Sequence, residues 1–314
     1  MRWNSIPLAE YLAALPVRRR RLRFRVEAGL DLPAFSGALW HSVIGPALKA
    51  EVCTVPPGLC SECPRRPECA YPRVLESAPG RPSNAPMARL ARIPGPLALD
   101  TAPWRPRRLD PGDDLEIGLA VIDPSGELIG QLTRALAGAV RRGIGRHRVR
   151  GTLEGWADTA WAGIHDVASM SREPGRALRL RLLTPLRLRR AGRYVTTFDP
   201  VALVRDLGMR IAALGHYHAG LPWPAPWPDA AAEASGLTVA RARMRWVEAH
   251  RFSRRQERRI ALGGLLGDAE VVGAGPAVSA LLAAGAVLHA GKATSLGFGQ
   301  FSVEIVAGEE DQRR

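Results

Sequence analysis

The sequence lacks any continuous run of apolar residues as long as the roughly 18 that a membrane-spanning helix needs. It also lacks a continuous apolar segment near its N-terminus, of the kind that a secretory signal peptide contains. We therefore expect a cytoplasmic protein that does not enter a membrane. A length of 314 residues is enough for two domains, each with its own core.

Lysine is almost absent, since Lys49 and Lys292 are the only two, while lysine and arginine together number 44. Acidic residues number 30, and the formal net charge is +14. A chain this basic favours a polyanionic partner. Arginine in particular binds phosphates and guanine edges through two hydrogen bonds at once. A GC-rich genome would also favour arginine codons over lysine codons, but it does not account for the net charge.

Cysteine is confined to residues 51–72, where the four cysteines are Cys53, Cys60, Cys63 and Cys69. In a reducing compartment such clustering indicates a metal site before disulfides. Four thiolates in a loop rich in proline and glycine suit a tetrahedral zinc ion or an iron–sulfur cluster. The spacing matches neither the usual paired zinc pattern nor the common ferredoxin runs. No coordination position is left open, so we expect a structural metal, with zinc favoured over a cluster.

Glycine is concentrated near the end of the chain, in the stretch Ala284–Val303. An apolar run ends at Leu288 and an alternating run begins at Phe301, which predicts a helix, a glycine-rich loop over residues 291–299, and a strand. Consecutive N–H groups in such a loop bind anions. The residues expected to bind a phosphate-rich partner are His289, Gly291, Lys292, Thr294, Ser295, Gly297 and Gly299. The pattern is not that of a P-loop, and a tight structural connection is the alternative.

A shorter copy of this pattern occurs earlier, because Gly143–Val149 aligns with Gly297–Val303. Each copy follows an apolar helix-like segment and precedes a strand-like one. Self-similarity of this kind indicates a duplicated architecture. Two copies suggest two related domains.

The predicted elements of the second half largely repeat those of the first. In the first half the elements are a strand (Arg21–Glu27), a helix (Leu32–Ala50), strands near Leu97–Leu99 and over Asp114–Asp123, a helix (Ser125–Arg142, with Ser125 as its cap) and a strand (Arg146–Leu153). In the second half the elements are a strand (Ala177–Leu188), a helix (Pro200–His218), a strand (Arg241–Val247) and a helix (Pro276–Ala284), followed by the glycine-rich loop and its strand. We predict an α+β protein of two tandem ferredoxin-like (RRM-like) domains, over residues 1–172 and 173–314, with the cysteine-rich insertion in the first.

Basic residues follow the predicted strands. In Arg21–Glu27 the apolar residues face one side and the arginines, including Arg23 and Arg25, face the other. In His250–Arg259 the arginines Arg251, Arg254, Arg255 and Arg258 stand at helical spacing. A charge run is usually a solvated face, but its recurrence in both halves favours a shared basic surface, or a cleft between two domains, that binds nucleic acid.

Three segments of the chain resemble CRISPR-associated pre-crRNA-processing endoribonucleases of the RAMP superfamily, the sixth Cas family. They are LHAGKATSLGFGQF at residues 288–301, RFSRRQ at residues 251–256 with LGGLLG at 262–267, and the cysteine run that ends at Pro72. The resemblance implies two ferredoxin-like domains and cleavage of a repeat RNA without a metal cofactor. It also implies that the guide RNA is often retained, and that other CRISPR effector subunits are further partners.

Members of this family often carry a catalytic histidine on the first helix of the first domain, and the resemblance implies this role for His41. The two lysines, Lys49 and Lys292, are candidates to stabilise the transition state. His289 is the second choice for a general acid or base, with a helix-end role as its alternative. A tyrosine partner found in some members has no clear counterpart.

Two other functions compete with an RNA-cleaving enzyme. A non-catalytic RNA-binding RAMP subunit of a CRISPR effector complex would bind RNA tightly, in a salt-sensitive manner, without cutting it. A metal-bearing DNA-binding regulator would lose binding on metal removal, and duplex DNA would compete with RNA. The presence of His41 argues against the first, and the twin glycine loops argue against the second.

Overall fold

The structure is a computed structural model of the 314-residue chain. It describes residues 6–55, 60, 62–79, 85–101, 103–160, 177–224, 227–248, 250–253 and 258–306, without the side chains of 250–253 and 258–261. Among these residues, every helix is too short or too polar to cross a bilayer.

The described residues form helices and strands in alternation along the chain. The helices are α1 (Leu8–Ala14), α2 (Gly37–Val52), α3 (Ala70–Leu75), α4 (Glu127–Arg142), α5 (Pro200–Ala219), α6 (Pro228–Ser235) and α7 (Pro276–Leu288). The strands are β1 (Val17–Val26), β2 (Leu30–Leu32), β3 (Leu97–Asp100), β4 (Arg107–Leu109), β5 (Asp114–Ile122), β6 (Gly151–Thr159), β7 (Leu178–Leu186), β8 (Arg189–Arg190), β9 (Arg193–Tyr194), β10 (Thr238–Val247), β11 (His250–Ser253), β12 (Arg258–Ala261), β13 (Gly264–Val272) and β14 (Phe301–Ile305).

The chain divides into two compact units. The N-terminal unit contains the described residues of 16–161 and 213–223, and the C-terminal unit contains those of 1–15, 162–212 and 224–314. The domain boundary that the sequence predicts, at residues 171–175, lies outside the described residues, so it stays a prediction.

The N-terminal unit has a four-stranded sheet in the order β3-β5-β1-β6, with every neighbouring pair antiparallel. Burial alternates along β1 as predicted: Leu22, Phe24 and Val26 are buried, and the arginines between them are exposed. The helices α2 and α4 supply apolar residues to the same core, among them Trp40 and Leu136.

The C-terminal unit repeats this topology with β10-β13-β7-β14, again with antiparallel neighbours. In each unit the chain runs strand, helix, two strands, helix, strand, and the first strand lies between the third and the fourth. This is the ferredoxin-like arrangement. Two tandem ferredoxin-like sheets are therefore confirmed.

The predicted bounds of two elements in the N-terminal unit were wrong. The first helix begins at Gly37 and not at Leu32, because residues 30–32 pair with β4 as the short strand β2. It contains Pro46 and continues to Val52, two residues beyond the predicted end at Ala50. The strand predicted from Arg146 begins at Gly151, because residues 144–149 form a tight turn closed by a bridge between Ile144 and Val149.

The cap of α4 also differs from the prediction. Ser125 accepts one hydrogen bond, from the N–H of Glu127 at 3.3 Å. The buried carboxylate of Asp123 accepts two, from the N–H groups of Gly126 and Ile129 at 3.1 and 3.0 Å. Asp123 is therefore the main cap, since it satisfies donors that the first turn of a helix leaves unpaired.

The described parts of the arginine-rich segment after β10 are strands and not a helix. Its described parts are β11 and β12, which pair from His250 with Ala261 to Ser253 with Arg258. A helix would have placed like charges four residues apart, which destabilises it. Arg254 and Arg255 lie outside the described residues, as does the side chain of Arg251, so their predicted contacts with RNA stay predictions.

Candidate functional site

The glycine-rich loop connects the end of α7 at Leu288 to the start of β14 at Phe301. Its backbone enters the left-handed region at five positions: His289, Gly291, Ala293, Gly297 and Gly299. A Cβ at Gly299 would lie 1.8 Å from the carbonyl oxygen of Ala290, and a Cβ at Gly291 would lie 2.6 Å from that of Arg187. These two positions need glycine because another backbone passes too close for any side chain.

The end of β7 holds one side of this loop. The carbonyl oxygens of Pro185 and Arg187 accept hydrogen bonds from the N–H groups of Gly299 and Lys292, each at 3.0 Å. The buried hydroxyl of Thr184 donates to the carbonyl oxygen of Gly297 at 2.6 Å. The loop is thus attached to the first strand of its own sheet at several points.

Helix α5 holds the other side through two charged residues four positions apart. The carboxylate of Asp206 accepts a hydrogen bond from the N–H of Gly291 at 2.7 Å. The guanidinium of Arg210 donates to the carbonyl oxygens of Leu288 and His289 at 3.0–3.1 Å. These contacts satisfy carbonyl groups that the end of α7 would otherwise leave unpaired.

Burial shifts the pKa values of both charged residues. It raises the pKa of Asp206, and the N–H of Gly291 together with the charges of Lys292 and Arg210 opposes this rise. Burial lowers the pKa of Arg210 to about 10, against the attraction of Asp206. Arg210 therefore keeps its charge at neutral pH and continues to bind the loop carbonyls.

The loop is less open to anions than its sequence predicts. Eight of the eleven N–H groups from Ala290 to Gln300 already donate within the protein, namely those of residues 290–292 and 296–300. In the described part of the chain, the N–H groups of residues 293–295 have no acceptor. Binding of an anion by consecutive N–H groups of the loop stays a prediction, limited to residues 293–295, because the tight path of the loop uses the other eight donors.

The predicted RNA-binding residues of the loop differ in exposure. Lys292 is exposed and Ser295 is half-buried, so both present side chains at the surface. His289 and Thr294 are buried, as are Gly291, Gly297 and Gly299. The imidazole of His289 is fully buried, so a ligand at the surface does not contact it. The other buried residues fix the backbone path of the loop that contains Lys292.

The earlier copy of the pattern has a related backbone. Gly143 and Gly145 have φ values of +103° and +73°, compared with +85° and +69° at Gly297 and Gly299. Each pair precedes the fourth strand of its unit. The self-similarity seen in the sequence therefore corresponds to equivalent places in two equivalent sheets.

Arg187, just after β7, was not predicted as a site residue. Its side chain is 5% exposed, and its guanidinium carbon lies 4.4 Å from the ring centroid of Tyr194 and 5.5 Å from that of Phe298. Its Nη1 is enclosed without a hydrogen-bond acceptor among the described residues. Alternation along β7 would have placed Arg187 on the exposed face, so its burial could not be predicted from the pattern.

His41 and Lys49 both lie on α2, as predicted, in the N-terminal unit. The ammonium of Lys49 is 5.8 Å from the ring centroid of Tyr71. Attraction to the thiol of Cys60, a hydrogen bond to it, and the weaker effects of Tyr71 and Cys53 raise the pKa of Lys49. Lys49 thus lies beside the cysteine segment, while His41 is eight residues earlier, about 12 Å along the helix.

The four cysteines are free thiols in the structure, with Cys53 exposed and Cys60, Cys63 and Cys69 half-buried. Among the described residues, no group of three or more cysteine, histidine or acidic side chains is close enough together to hold a metal. Residues 56–59 and 61 lie outside the described residues. A structural metal on these four thiols stays our proposal.

Protein purified without chelators is expected to contain an equimolar amount of zinc, measured by plasma mass spectrometry. Replacing Cys60 and Cys63 by serine removes half of the thiolate ligands and should abolish this binding. Iron with visible absorbance would instead identify a cluster. Absence of both metals, with all four thiols titratable in the native protein, would contradict the proposal.

The basic face of β1 is partly neutralised by neighbouring acids. Arg21 lies 3.4 Å from Glu116, and Arg25 lies 3.5 Å from Asp114. Arg23, which is exposed, forms no ion pair within the described residues. Exposed ion pairs contribute little free energy, so they do not prevent these arginines from contacting a phosphate chain.

Comparison with known families identifies the C-terminal part of the chain. Residues 180–301 match the family model described as CRISPR-associated endoribonuclease Cas6, and residues 15–177 match a model described only as an N-terminal domain. Residues 180–301 of the chain thus match the Cas6 family. None of the curated proteins matches it.

Solved structures agree with this Cas6 assignment at the level of the fold. A Cas6 product complex is similar with a TM-score of 0.55 and 18% identity, over 92% of this chain and 100% of that one. Thermus thermophilus Cas6 is similar with a TM-score of 0.52 and 18% identity, over 92% and 98%. A partial Cas6-RT-Cas1–Cas2 complex is similar with a TM-score of 0.53 and 11% identity, over 93% of this chain and 47% of that one.

The predicted site residues fall into two groups. His41, Lys49 and the arginines of β1 belong to the N-terminal unit, and the loop with Lys292 belongs to the C-terminal unit. The residues that hold the loop, Asp206 and Arg210, were not predicted. The sequence signal that could have indicated them is a pair of opposite charges four residues apart within the mostly apolar helix α5.

Proposed function

We propose that this Cas6 protein cuts CRISPR repeat RNA as a metal-independent endoribonuclease. The observation that carries the proposal is the Cas6 family match over residues 180–301, which includes the whole glycine-rich loop. The net charge of +14 supports a polyanionic substrate.

The proposed reaction is an internal transfer at one phosphodiester bond. The 2′-oxygen of the nucleotide before the cut attacks the adjacent phosphorus, while a general base takes the 2′-hydroxyl proton. The bond from phosphorus to the 5′-oxygen breaks, and that oxygen receives a proton. The products are a 2′,3′-cyclic phosphate and a 5′-hydroxyl. General acid–base catalysis contributes about 10²–10⁴-fold, and fixed positive charge stabilises the phosphorane.

We assign the general base to His41, and the stabilising charge to Lys292 and Lys49. Lys292 is the better candidate of the two lysines, because it is exposed and makes no ion pair within the described residues. Lys49 is engaged with Cys60 and Tyr71. Exposed arginines, including Arg23 and Arg25, contact the RNA backbone.

Partners of the protein are part of the same proposal. Its guide RNA product stays bound after cutting, because the arginines that bind the substrate contact the product as well. One similar solved structure contains Cas6 with RT, Cas1 and Cas2. We therefore include other CRISPR proteins among the expected partners.

The test is a cleavage assay on a repeat RNA from the neighbouring CRISPR array, with EDTA present. The expected result is cutting at one site, with a cyclic phosphate and a 5′-hydroxyl at the new ends, identified by end-specific labelling and mass spectrometry. Parallel reactions with Lys292→Ala and Lys49→Ala compare the two lysines.

Tight, salt-sensitive binding without any cutting would contradict the proposal and would favour a non-catalytic RNA-binding subunit. Activity that disappears in EDTA and returns with added metal would also contradict it. A product with a 3′-hydroxyl end would exclude attack by the 2′-oxygen.

A further inference from the structure

The guanidinium of Arg187 is buried, and one of its donors lacks a hydrogen-bond acceptor among the described residues. Its side chain is 95% removed from solvent, and its Nη1 has no hydrogen-bond acceptor in the part of the chain that the structure describes. No carboxylate there forms an ion pair with it. Burial of an ionised group is costly unless the group is paired or hydrogen-bonded. Contacts with the rings of Tyr194 and Phe298 offset part of this cost.

Arg210 shows how the same unit treats an arginine with a structural role. It is as deeply buried as Arg187, but it donates three hydrogen bonds to the carbonyl oxygens at the end of α7 and lies near Asp206. Arg187 has no comparable set of acceptors among the described residues. This contrast indicates that Nη1 of Arg187 donates a hydrogen bond to a bound ligand.

Tyr194 lies on the short hairpin of β8 and β9, opposite Arg189. Its side chain is 40% exposed, so a large aromatic ring stands at the surface beside two guanidinium groups. The carbons of these groups, in Arg187 and Arg189, lie 4.4 and 5.4 Å from the ring centroid. Exposed aromatic rings among arginines stack well on the bases of single-stranded nucleic acids.

Arg187 also contacts the glycine-rich loop. The carbonyl oxygen of Arg187 accepts the N–H of Lys292 at 3.0 Å, and Gly291 passes too close to that oxygen for a side chain. Phe298, which contacts the guanidinium of Arg187, is itself a loop residue. Arg187 and Lys292 are thus joined through their backbones, and the guanidinium of Arg187 lies against a ring of the loop.

We propose that Arg187 and Tyr194 form a binding subsite for one nucleotide of the RNA. In this subsite the ring of Tyr194 stacks on the base, and Nη1 of Arg187 donates a hydrogen bond to a phosphate oxygen of the same nucleotide. Binding moves the ring from the guanidinium to the base and uncovers the donor. The hairpin has two residue pairs, so little structure opposes this movement. The inference rests on the proposed function, since it takes RNA as the substrate.

The experiment measures binding and not cleavage, so that it does not depend on the catalytic residues. The probe is the repeat RNA with a 2′-deoxynucleotide before the cut, and affinities come from filter binding at several salt concentrations. Tyr194→Leu keeps an apolar side chain without a ring, and Tyr194→Phe keeps the ring as its matched control. Tyr194→Leu should weaken binding by roughly 5- to 150-fold, and Tyr194→Phe should remain within about twofold of the wild type.

A set of RNAs with single abasic sites locates the stacked base. One abasic position should weaken wild-type binding as much as Tyr194→Leu does, and should cause no further loss in that variant. Arg187→Met should reduce the slope of log affinity against log salt by about 0.7, because one phosphate contact is lost. Its melting temperature should stay equal or rise, because an unsatisfied buried charge is removed.

The outcomes separate this inference from the proposed function. If the wild type does not bind the repeat RNA, the proposed function is overturned. If the wild type binds and Tyr194→Leu binds equally well, the subsite is overturned and the function stands. A lower melting temperature in Arg187→Met with an unchanged salt slope would make Arg187 a structural residue.

Discussion

Replacing His41 with alanine is expected to slow the cleavage of repeat RNA by about 10²–10⁴-fold, which is what a general acid or base contributes. Histidine is suited to the role because its ordinary pKa lies near neutral pH, so the imidazole both accepts and releases a proton there. The residue lies on α2, whose apolar side is fixed in the core by Trp40, Ile44 and Leu48. The backbone under the imidazole is therefore well supported.

The rate is best measured in single turnover, with enzyme in excess, because product release then does not limit it. The affinity for the 2′-deoxy RNA should stay within about twofold of the wild type, since the change removes chemistry and not phosphate contacts. Ser42→Ala, at the next position of the same helix, is the matched control and should cut at the normal rate. If His41→Ala cuts as fast as Ser42→Ala, the base is another residue.

Replacing Gly299 with alanine should destabilise the protein by about 3 kcal/mol or more, and should weaken RNA binding in any molecules that still fold. Two effects combine at this position. The backbone is left-handed with φ of +69°, and the new Cβ would lie 1.8 Å from the carbonyl oxygen of Ala290. Ala290 and Gly299 are also joined by the 3.0 Å hydrogen bond that closes the loop.

Gly192 is the matched control, because its φ is +80° and a Cβ added there would have no described atom within 4 Å beyond its chain neighbours. Gly192→Ala should cost only the left-handed strain, about 1–2 kcal/mol. Urea unfolding of the two variants gives both free energies. Equal losses would show that φ alone matters at Gly299, and that the loop tolerates a shift of Ala290.

The fold was largely predictable because each sheet has one buried face. Alternation of apolar and charged residues in β1, and of leucine and arginine in β7, placed the central strand of each sheet correctly. The long helix α5 was also predicted within one residue of its end. Errors arose where local pattern and pairing disagreed, as at the segment with Arg251, where pairing in a hairpin overrode a helical spacing.

The candidate site was predictable only in part. The glycine-rich loop could be found because its glycines are close together in sequence. Asp206, Arg210 and Arg187 stand 85, 78 and 111 positions before the residues Gly291, Leu288 and Phe298 that they contact. Their roles depend on how α5 and β7 pack in the folded unit, which periodicity does not report. For the same reason the burial of His289 could not be predicted from its place next to a loop.

The hydrogen bonding of the glycine-rich loop has a thermodynamic consequence for recognition. Ordering a residue costs about 1–2 kcal/mol in conformational entropy. In this loop, eight of eleven N–H groups are paired inside the protein. Most of the conformational entropy of the loop is therefore lost when the protein folds, and not when RNA binds. The loop is therefore already ordered before RNA binds to it. The association rate then depends on diffusion and on attraction by the arginines, and it falls as the salt concentration rises.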